Sequence, residues 1–578
     1  MSKARAWVLI AMLAGGAVTV FARSLQITVL EHERWAEVAS NQHHRVLVVQ
    51  SQRGDIRSAD GYLLATSVDR LAIQVDTHLL HHPELFATVA AGLLDTPVEE
   101  LLERLRSGPR TVWLAQRVER DAAARVRLLA PSAVVLVPDS QREYPLGPVA
   151  AAVVGFVGRE ELRTVGRVGI ESSYDALLAG QPERHLAVRD AVQRQLRLER
   201  VQAGRAGYDL ELTIHARIQA AAERELEATV LQTGASAASA VVLDPHSGAI
   251  LALVSIPSFD PAAPSRAPRE CWRLRPVVEA YEPGSTIKPM VVAASLAAGA
   301  VGWNERIDCR QKGIRVGTHW VRDHAAADLY TVDEVVAHSS NAGIIILAER
   351  LTPQALWTAL DAFGFGRSPE VGFAGESPGL LSSVRTWSSM SRAGVALGQE
   401  LTASPLQLAL AYAAIANGGW VPRPRLVQRA SSGPDVNPAV LHLHTRVMDR
   451  ALSERITTML ELAVTDGTAK RAGLPGFRVA GKTGTAQRAV NGQFDDQHHV
   501  SWFAGFLPLP DPRLVIVVAV ENPTKDFWGA TVAAPAFAGI AQACVRLLEI
   551  PPEPTDDIWQ APPPDPASPP PAAGGGEA

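Results

Sequence analysis

The chain has 578 residues, too many for one ordinary hydrophobic core, so two or more folded units are expected. Hydrophobic residues make up 47% of it and charged residues 20%, proportions that exclude a wholly disordered protein. The formal net charge of -5 is too small to indicate nucleic-acid binding, and the 3 widely spaced cysteines exclude a disulfide-stapled framework.

The first predicted element is an apolar segment at residues 7–22, flanked by basic residues at positions 3, 5 and 23. It predicts a membrane helix with its N-terminus on the cytoplasmic side, although it is short for a span of about 17–25 residues. A cleaved export signal is the alternative, but residues 20–22 (Val-Phe-Ala) match a cleavage site poorly, so the uncleaved anchor is favoured. Both interpretations export the rest of the chain.

The next stretch, to about residue 205, alternates short apolar strands with charged, helix-prone segments such as residues 97–106. It contains no cluster of nucleophile and base, so we predict a scaffold domain. Residues 192–207 are rich in Arg, Gln and Gly, which is typical of an exposed connection to the next unit.

The second unit begins with helical periodicity at 218–230 and a predicted β-hairpin at 239–254. An alanine-rich helix at 291–298 and a helix from 404 to 416 that is apolar nearly all round indicate a packed core. We therefore predict helices packed on an antiparallel sheet, which is the α+β class. Beyond residue 550 the chain is dominated by Pro, Ala and Gly, which predicts a disordered tail.

Three short strings in this second unit carry its chemistry: Ser-Thr-Ile-Lys at 285–288, Ser-Ser-Asn at 339–341 and Lys-Thr-Gly-Thr at 482–485. Residues three apart share one face of a helix, so the Lys288 amine can accept the proton of the Ser285 hydroxyl. Ser285 is therefore the candidate nucleophile. It precedes a predicted helix, whose first N–H groups would stabilise a developing oxyanion.

The other two strings supply binding and relay groups. The Ser339 hydroxyl and the Asn341 amide can relay a proton and hold a peptide carbonyl. The Lys482 ammonium, with the hydroxyls of Thr483 and Thr485, can bind a carboxylate. Together the strings predict an acyl-transfer site for a peptide that ends in a free carboxylate.

Competing interpretations of single motifs are weaker. A lone Ser-x-x-Lys is usually two solvated side chains, so the prediction depends on all three strings occurring in order. Residues 476–483 match the spacing of a phosphate-binding loop, but they are strand-like and poor helix openers, which disfavours an NTPase. Residues 53–55 (Arg-Gly-Asp) are interpreted as a turn, not an adhesion tripeptide. His319, His324 and His338 lack metal-ligand spacing, and no metal or cofactor is expected.

With these residues the chain closely resembles the class B penicillin-binding proteins, the membrane-anchored D,D-transpeptidases that cross-link peptidoglycan. The matching segments are 281–289, 339–341, 404–409, 480–487 and 502–506 in the catalytic half, and 53–56, 144–147, 169–171 and 174–175 in the scaffold half. Similarity to the division-type, FtsI-like septal enzymes lies in Glu282, 372–376, Gly529 and 532–535. The chain departs from the family at 58–59 (Ser-Ala) and 398–400 (Gly-Gln-Glu), which leaves regulation and partner contacts in question.

The resemblance implies a four-part organisation. A transmembrane anchor occupies residues 1–23, and an elongated α+β pedestal domain occupies 24–215. A penicillin-binding, serine β-lactamase-like transpeptidase domain follows at 216–550, and a disordered Pro-rich tail at 551–578. The protein would be a single-pass protein of the cytoplasmic (inner) membrane, with its catalytic domain on the periplasmic or extracellular side.

The family's mechanism is carried over to the matching residues. Ser285, deprotonated by Lys288, would attack the carbonyl between the last two D-alanines of a stem peptide, and a neighbouring stem's amine would resolve the ester. Ser339 would pass a proton to the leaving amine, and Asn341 would position the peptide amide. The N–H groups of Ser285 and Thr485 would hold the oxyanion. The expected carboxylate-binding residues are Lys482, Thr483, Gly484 and Thr485.

This mechanism requires a substantially neutral Lys288, which burial and the nearby Lys482 charge would favour. The resemblance also implies partners: stem peptides on a lipid-linked precursor or nascent glycan, covalently bound β-lactams, a membrane glycan polymerase and division proteins, without nucleic acid.

Two alternative functions stay open. A D,D-carboxypeptidase or β-lactamase-type hydrolase would resolve the ester with water, and the pedestal-like first half argues against it. A non-catalytic division scaffold or β-lactam sensor would keep the fold alone, and the complete set of strings argues against that. A disulfide between Cys271 and Cys309 is compatible with an oxidising compartment but cannot be inferred from the sequence.

Overall fold

The computed structural model describes residues 3–35, 44–107, 110–160, 163–189, 195–323, 328–431, 445–490 and 493–553, and the fold is given for these residues. The predicted disordered tail lies outside the described residues from position 554 onward.

The N-terminal helix is longer than the apolar segment recognised in the sequence. Helix α1 (Lys3–Leu25) continues into a π-helical turn (Gln26–Leu30), and the apolar stretch Trp7–Leu30 has 24 residues. In the described parts of the chain it is the one helix long and apolar enough to cross a membrane, by length and composition. The helix is therefore long enough to span a membrane, whereas the segment recognised in the sequence is short for a span.

The described strands of the first half belong to three sheets, of three, six and two strands. Strands β1, β8 and β9 form an antiparallel sheet, and the long strand β3 pairs with β2 and with both β4 and β5. Helices α2, α3 and α4 cover the sheet and enclose a separate core. The elements are β1 (His44–Val49), β2 (Ile56–Arg57), β3 (Leu63–Asp76), α2 (Pro83–Leu94), α3 (Val98–Ser107), β4 (Thr111–Val118), α4 (Arg120–Leu129), β5 (Val134–Glu143), α5 (Ala151–Val154), β6 (Phe156–Glu160), β7 (Arg163–Val168), α6 (Gly169–Ser173), α7 (Asp175–Leu178), β8 (Glu183–Arg189), β9 (Gln195–Gln202) and β10 (Leu210–Leu212).

The second half is built on a five-stranded antiparallel sheet with the order β12-β11-β24-β23-β22. The elements are α8 (Ala216–Thr233), β11 (Ala237–Leu243), β12 (Ile250–Ile256), α9 (Arg275–Val278), α10 (Lys288–Ala297), β13 (Arg306–Asp308), β14 (Gly313–Val316), β15 (His319–Arg322), β16 (Leu329–Thr331), α11 (Val332–Ala337), α12 (Asn341–Glu349), α13 (Pro353–Ala362), β17 (Leu380–Leu381), α14 (Ser391–Ala396), β18 (Leu401–Thr402), α15 (Pro405–Ala416), β19 (Trp420–Val421), β20 (Val427–Ala430), β21 (Thr445–Arg446), α16 (Arg450–Thr465), β22 (Ala480–Val490), β23 (Gln493–Leu507), β24 (Leu514–Glu521) and α17 (Ala533–Leu547).

Both faces of this sheet are covered by helices, so its central strand β24 is buried along its whole length. Helices α8 and α17 pack on one face and α15 on the other. Every residue of α15 is buried, as its apolar sequence predicts. Pro405 stands in its first turn, and Ser404 and Gln407 form a capping box that satisfies N–H groups at this buried end. The predicted antiparallel α+β arrangement is confirmed.

The two halves share one sheet. Strand β20, from the second half, pairs antiparallel with β10, and β10 pairs parallel with β2. A continuous apolar core follows this junction, with Ile56 and Leu64 in the same cluster as Val241. The domain boundaries predicted from the sequence stay predictions.

The Arg-Gly-Asp segment is a structural part of the first half. The prediction of a turn at residues 53–55 is wrong, because these residues form no turn. The Arg53 guanidinium is buried and binds Glu171 at 2.6 Å and Asp175 at 2.6 Å, and Arg142 binds Glu171 from the other side. A buried guanidinium cannot serve as an adhesion ligand.

Candidate active site

The serine of the first string lies directly before a buried helix. Ser285 belongs to a 3-10 turn (Gly284–Ile287), and α10 begins at Lys288, three residues earlier than the helix predicted at 291–298. Gly284 has a φ of +54°, and a Cβ there would lie 2.9 Å from the carbonyl oxygen of Thr485. The turn therefore presses against strand β22, which brings the first and third strings together.

The second string is placed against Lys288. The Lys288 amine donates to the Ser339 carbonyl oxygen at 2.8 Å, to the Ser339 hydroxyl at 3.3 Å and to Asn341 Oδ1 at 2.8 Å. In the described structure no hydrogen bond joins it to Ser285, so the contact predicted from the spacing is not made in this state. Catalytic hydrogen bonds often close only when substrate is bound.

Burial controls the protonation of Lys288. The residue is fully buried, and this lowers the pKa of its amine to about 7, while the Asp323 carboxylate acts in the opposite direction. The expectation that the Lys482 charge lowers the Lys288 pKa is not borne out, since burial is the cause. The repulsion between the two amines instead helps burial to lower the pKa of Lys482.

The third string lies on strand β22, in agreement with its strand-like sequence, and β22 forms one edge of the five-stranded sheet. The Lys482 amine donates to the hydroxyl of Thr468 at 3.4 Å and to the Thr483 carbonyl oxygen at 3.3 Å. The Thr485 hydroxyl accepts from the Gly529 N–H at 3.0 Å. Because β22 continues to Val490 without opening a helix, residues 476–483 are not in the setting of a phosphate-binding loop.

The three strings line one cleft of about 690 Å³. The cleft is lined by Ser285, Ser339, Asn341 and residues 483–485. Lys288 and Lys482 are fully buried, and their amines hydrogen-bond to residues of this lining. The structure thus brings together every side chain that the sequence selected.

Further lining residues lie outside the three strings. Gly284, Gln399, Ala486, Gln487 and Gly529 belong to segments compared with the family above, and His338 directly precedes the second string. The lining residues that no motif indicates are Leu397, Thr468, His499, Phe527, Trp528, Ala530 and Thr531.

An aromatic wall forms one side of the cleft. The rings of His499 and Phe527 stack with their centroids 4.3 Å apart, and Phe527 lies 5.0 Å from Trp528. Phe527 is 36% exposed and Trp528 is 48% exposed, so both offer apolar surface to an occupant. Phe527 and Trp528 lie on the loop after β24, and His499 lies on β23, so no local motif in the sequence indicates that the three rings meet.

Histidines and cysteines form no second centre among the described residues. His338 borders the cleft with its ring 5.3 Å from that of Tyr330, and His324 lies outside the described residues. The described parts of the chain contain no group of three His, Cys, Asp or Glu that could hold a metal ion. Cys271 and Cys309 are both buried and free, so the structure has no disulfide between them.

Comparisons with known proteins agree with this geometry. The family model described as "Penicillin binding protein transpeptidase domain" matches residues 238–542, and "Penicillin-binding Protein dimerisation domain" matches residues 48–212. The chain is 32% identical over 519 residues to the peptidoglycan D,D-transpeptidase FtsI of Escherichia coli K12, with 88% of this chain and 86% of the relative covered. It is 31% identical over 550 residues to the probable peptidoglycan D,D-transpeptidase PbpC of Pseudomonas aeruginosa, covering 93% and 94%.

Solved structures give the same result. The crystal structure of penicillin-binding protein 3 from Mycobacterium tuberculosis, complexed with aztreonam, superposes with a TM-score of 0.68 at 26% identity. That superposition covers 88% of this chain and 98% of the other.

Proposed function

This chain belongs to the class B penicillin-binding proteins and is a peptidoglycan D,D-transpeptidase, and from that membership we propose how its residues carry out the reaction and where it acts. The observation that supports the proposal best is the buried Lys288 amine, which meets Ser339 and Asn341 beneath the cleft that holds Ser285. A lysine with a pKa of about 7 can act as a base near neutral pH.

In the first half-reaction, the Ser285 hydroxyl attacks the carbonyl carbon between the last two D-alanines, and Lys288 takes its proton. The N–H groups of Ser285 and Thr485 hold the oxyanion that forms. The C–N bond then breaks, the terminal D-alanine leaves with a proton relayed by Ser339, and the stem peptide stays as an ester on Ser285.

The carboxylate of the terminal D-alanine is bound by Lys482 with Thr483, Gly484 and Thr485. Thr483, Gly484 and Thr485 line the cleft, and the buried Lys482 amine donates to the carbonyl oxygen of Thr483 at 3.3 Å. An incoming carboxylate would favour the charged form of Lys482, and that charge would in turn help to keep Lys288 neutral.

In the second half-reaction, an amine from a neighbouring stem peptide attacks the ester, forms a new amide bond and releases Ser285. A β-lactam would acylate the same serine and remain attached. Water in place of the amine would make the protein a carboxypeptidase or β-lactamase, and the lifetime of the penicillin adduct distinguishes these cases. A long-lived adduct supports transpeptidation, and rapid release supports hydrolysis.

Replacement of Ser285 by alanine tests the nucleophile directly. The Ser285→Ala variant has no hydroxyl to acylate, so covalent labelling by a fluorescent penicillin is expected to disappear. Ser295→Ala is the control, because its hydroxyl is buried on α10 and hydrogen-bonds the carbonyl oxygen of Val291. Unchanged labelling of Ser285→Ala would remove Ser285 from its role.

We further propose a septal role, in the inner membrane, with the helix at 7–30 as a single anchor and the catalytic half outside the cytoplasm. The relatives named FtsI support this assignment, and a membrane glycan polymerase with division proteins would be its partners. Cells that carry only Ser285→Ala are expected to grow as filaments without septa. Normal division of these cells would favour a scaffold, and rounding without filaments would favour a role in elongation.

A further inference from the structure

We propose that Asp323 is a positioning residue of the transpeptidase reaction: its carboxylate fixes the first turn of α12 and thereby holds Asn341 against Lys288. The inference rests on the roles proposed above for Ser285, Lys288 and Asn341. Neither the strings nor their spacing indicates Asp323, which follows the short strand β15.

The carboxylate of Asp323 takes up the free N–H groups at the start of α12. Its Oδ1 accepts from the Asn341 N–H at 2.9 Å, and its Oδ2 accepts from the Ala342 N–H at 3.0 Å. The Ser340 hydroxyl donates to Oδ2 at 2.5 Å and itself accepts from the Gly343 N–H at 2.9 Å. The first turn is therefore tied at three successive N–H groups, and its anchor is a residue from a separate hairpin.

This anchoring determines where the Asn341 side chain points. Its Nδ2 donates to the carbonyl oxygen of Arg322 at 3.2 Å, and its Oδ1 accepts from the Lys288 amine at 2.8 Å. Residues 322 and 323 thus hold Asn341 by both its backbone and its side chain. Without the Asp323 carboxylate, the backbone of Asn341 would no longer be held in place, although its side chain could still hydrogen-bond to Lys288.

The charge of Asp323 also acts on Lys288. The carboxylate stabilises the protonated amine and so raises the pKa that burial has lowered. The Lys482 amine from β22 also interacts with Lys288, and burial together with the repulsion from Lys288 lowers the pKa of Lys482. Asp323 also faces the Cys309 thiol and the Tyr330 hydroxyl. Burial raises the pKa of both groups, and the Asp323 charge adds to the rise. Loss of the Asp323 charge therefore moves the Lys288 pKa to a lower value.

The test measures acylation by a fluorescent penicillin between pH 5 and 9, with the full-length chain in detergent. The Asp323→Asn variant removes the charge. It also leaves one of the N–H groups of Asn341 and Ala342 without an acceptor, because that N–H then faces the NH₂ of the side-chain amide. The acylation rate is expected to fall about tenfold or more, because Asn341 and Lys288 are displaced. The acid limb of the pH profile is expected to move down by about one unit. A residue that is merely structural would lower the rate without moving the limb.

Two variants keep the test decisive. Asp323→Glu keeps the charge but changes its reach, so the rate is expected to fall while the limb stays in place. Ser340→Ala removes one hydrogen bond to the carboxylate but leaves its charge, so a lower rate with an unmoved limb is expected. An unchanged rate for Ser340→Ala would contradict the anchoring role even if Asp323→Asn fails to fold. The control is Asp449→Asn, which removes an N-cap carboxylate from α16, where Asp449 accepts from Leu452 at 2.8 Å, and should leave the limb unchanged.

The outcomes separate this inference from the proposed function. If Ser285→Ala is labelled as fast as the unaltered chain, the proposed function fails. If Ser285→Ala is not labelled while Asp323→Asn keeps the original acylation rate and the original acid limb of the pH profile, only the role of Asp323 is overturned. A limb displaced as far by Asp323→Glu as by Asp323→Asn would also contradict the role of the charge.

Discussion

Among the residues of the cleft, Lys288 combines features that ordinarily exclude one another. Its amine is fully buried and it makes three hydrogen bonds to Ser339 and Asn341, which would suit a charged group. Burial opposes that charge and leaves the pKa at about 7. The amine is therefore poised between its two forms at neutral pH, as a general base requires.

Acylation is expected to depend on pH through the protonation of Lys288. Below a pH of about 7 the Lys288 amine is protonated and cannot take the Ser285 proton, so the rate of penicillin acylation should rise with pH through this value. Lys288→Arg keeps a cation but removes the base, and the rate is expected to fall by about 10²–10⁴-fold. Second-order acylation rates between pH 5.5 and 8.5 provide the measurement. A flat profile, or a Lys288→Arg variant of undiminished rate, would rule out this role.

The sequence predicts those parts of the site that lie in short motifs. It does not predict the groups that other segments of the chain contribute. The three strings lie around one cleft, as expected from their specificity as a set, and the roles of their residues stay predictions. Asp323 and Thr468 carry no such pattern, and only folding brings them to Ser340 and Lys482.

At the scale of elements, the site depends on how closely the 3-10 turn at Gly284–Ile287 meets strand β22. Gly284 approaches the backbone of Thr485, and Gly484 approaches the backbone of Pro283. Trp502 Nε1, from the neighbouring strand β23, donates to the carbonyl oxygen of Glu282 at 3.0 Å and fixes the chain just before the turn. Two adjacent glycine contacts thus set the distance between the nucleophile and the carboxylate-binding strand.

A substitution at Gly484 tests this close approach. A Cβ there would lie 2.7 Å from the Pro283 carbonyl oxygen and 2.9 Å from Thr286 Cγ2, so the turn has to move away from β22. For Gly484→Ala we expect a loss of stability of about 1–3 kcal/mol and a fall in acylation. The control is Gly92→Ala on α2, where an added Cβ meets nothing within 4 Å and helix propensity predicts a gain of up to about 1 kcal/mol. Equal melting and labelling of the two variants would refute the argument.

Long or strongly patterned elements could be predicted, and very short ones could not. The apolar run that became α15 and the strand that carries Lys482 were both expected from periodicity and flanking residues. Strands β10 and β20 have 3 and 4 residues, and their pairing joins segments more than 200 residues apart. No local pattern encodes such a pairing, so the sheet shared by the two halves was missed.

At the scale of the whole molecule, the shared sheet makes the two halves depend on each other. A further link is Glu223 on α8, whose Oε1 accepts from the Ala150 N–H of the first half at 2.9 Å and from Gln219 Nε2 at 2.8 Å. Burial raises the pKa of this carboxyl to about 7. The junction between the halves therefore contains an acid that resists ionisation.

The last prediction follows from this acid. In the unfolded chain Glu223 titrates near its ordinary value of about 4.5, whereas in the folded chain its pKa is about 7. Between these values the folded state binds more protons, so the contribution of Glu223 to stability declines as the pH rises from about 4.5 to 7. Glu223→Gln does not ionise, and its melting temperature relative to the unaltered chain should therefore be higher at pH 8 than at pH 5, by about 2 °C. Glu454→Gln, at an exposed site on α16, is the control and should shift melting equally at both pH values. If the melting temperatures of Glu223→Gln and the unaltered chain differ by the same amount at both pH values, ionisation of Glu223 does not affect the stability of the junction.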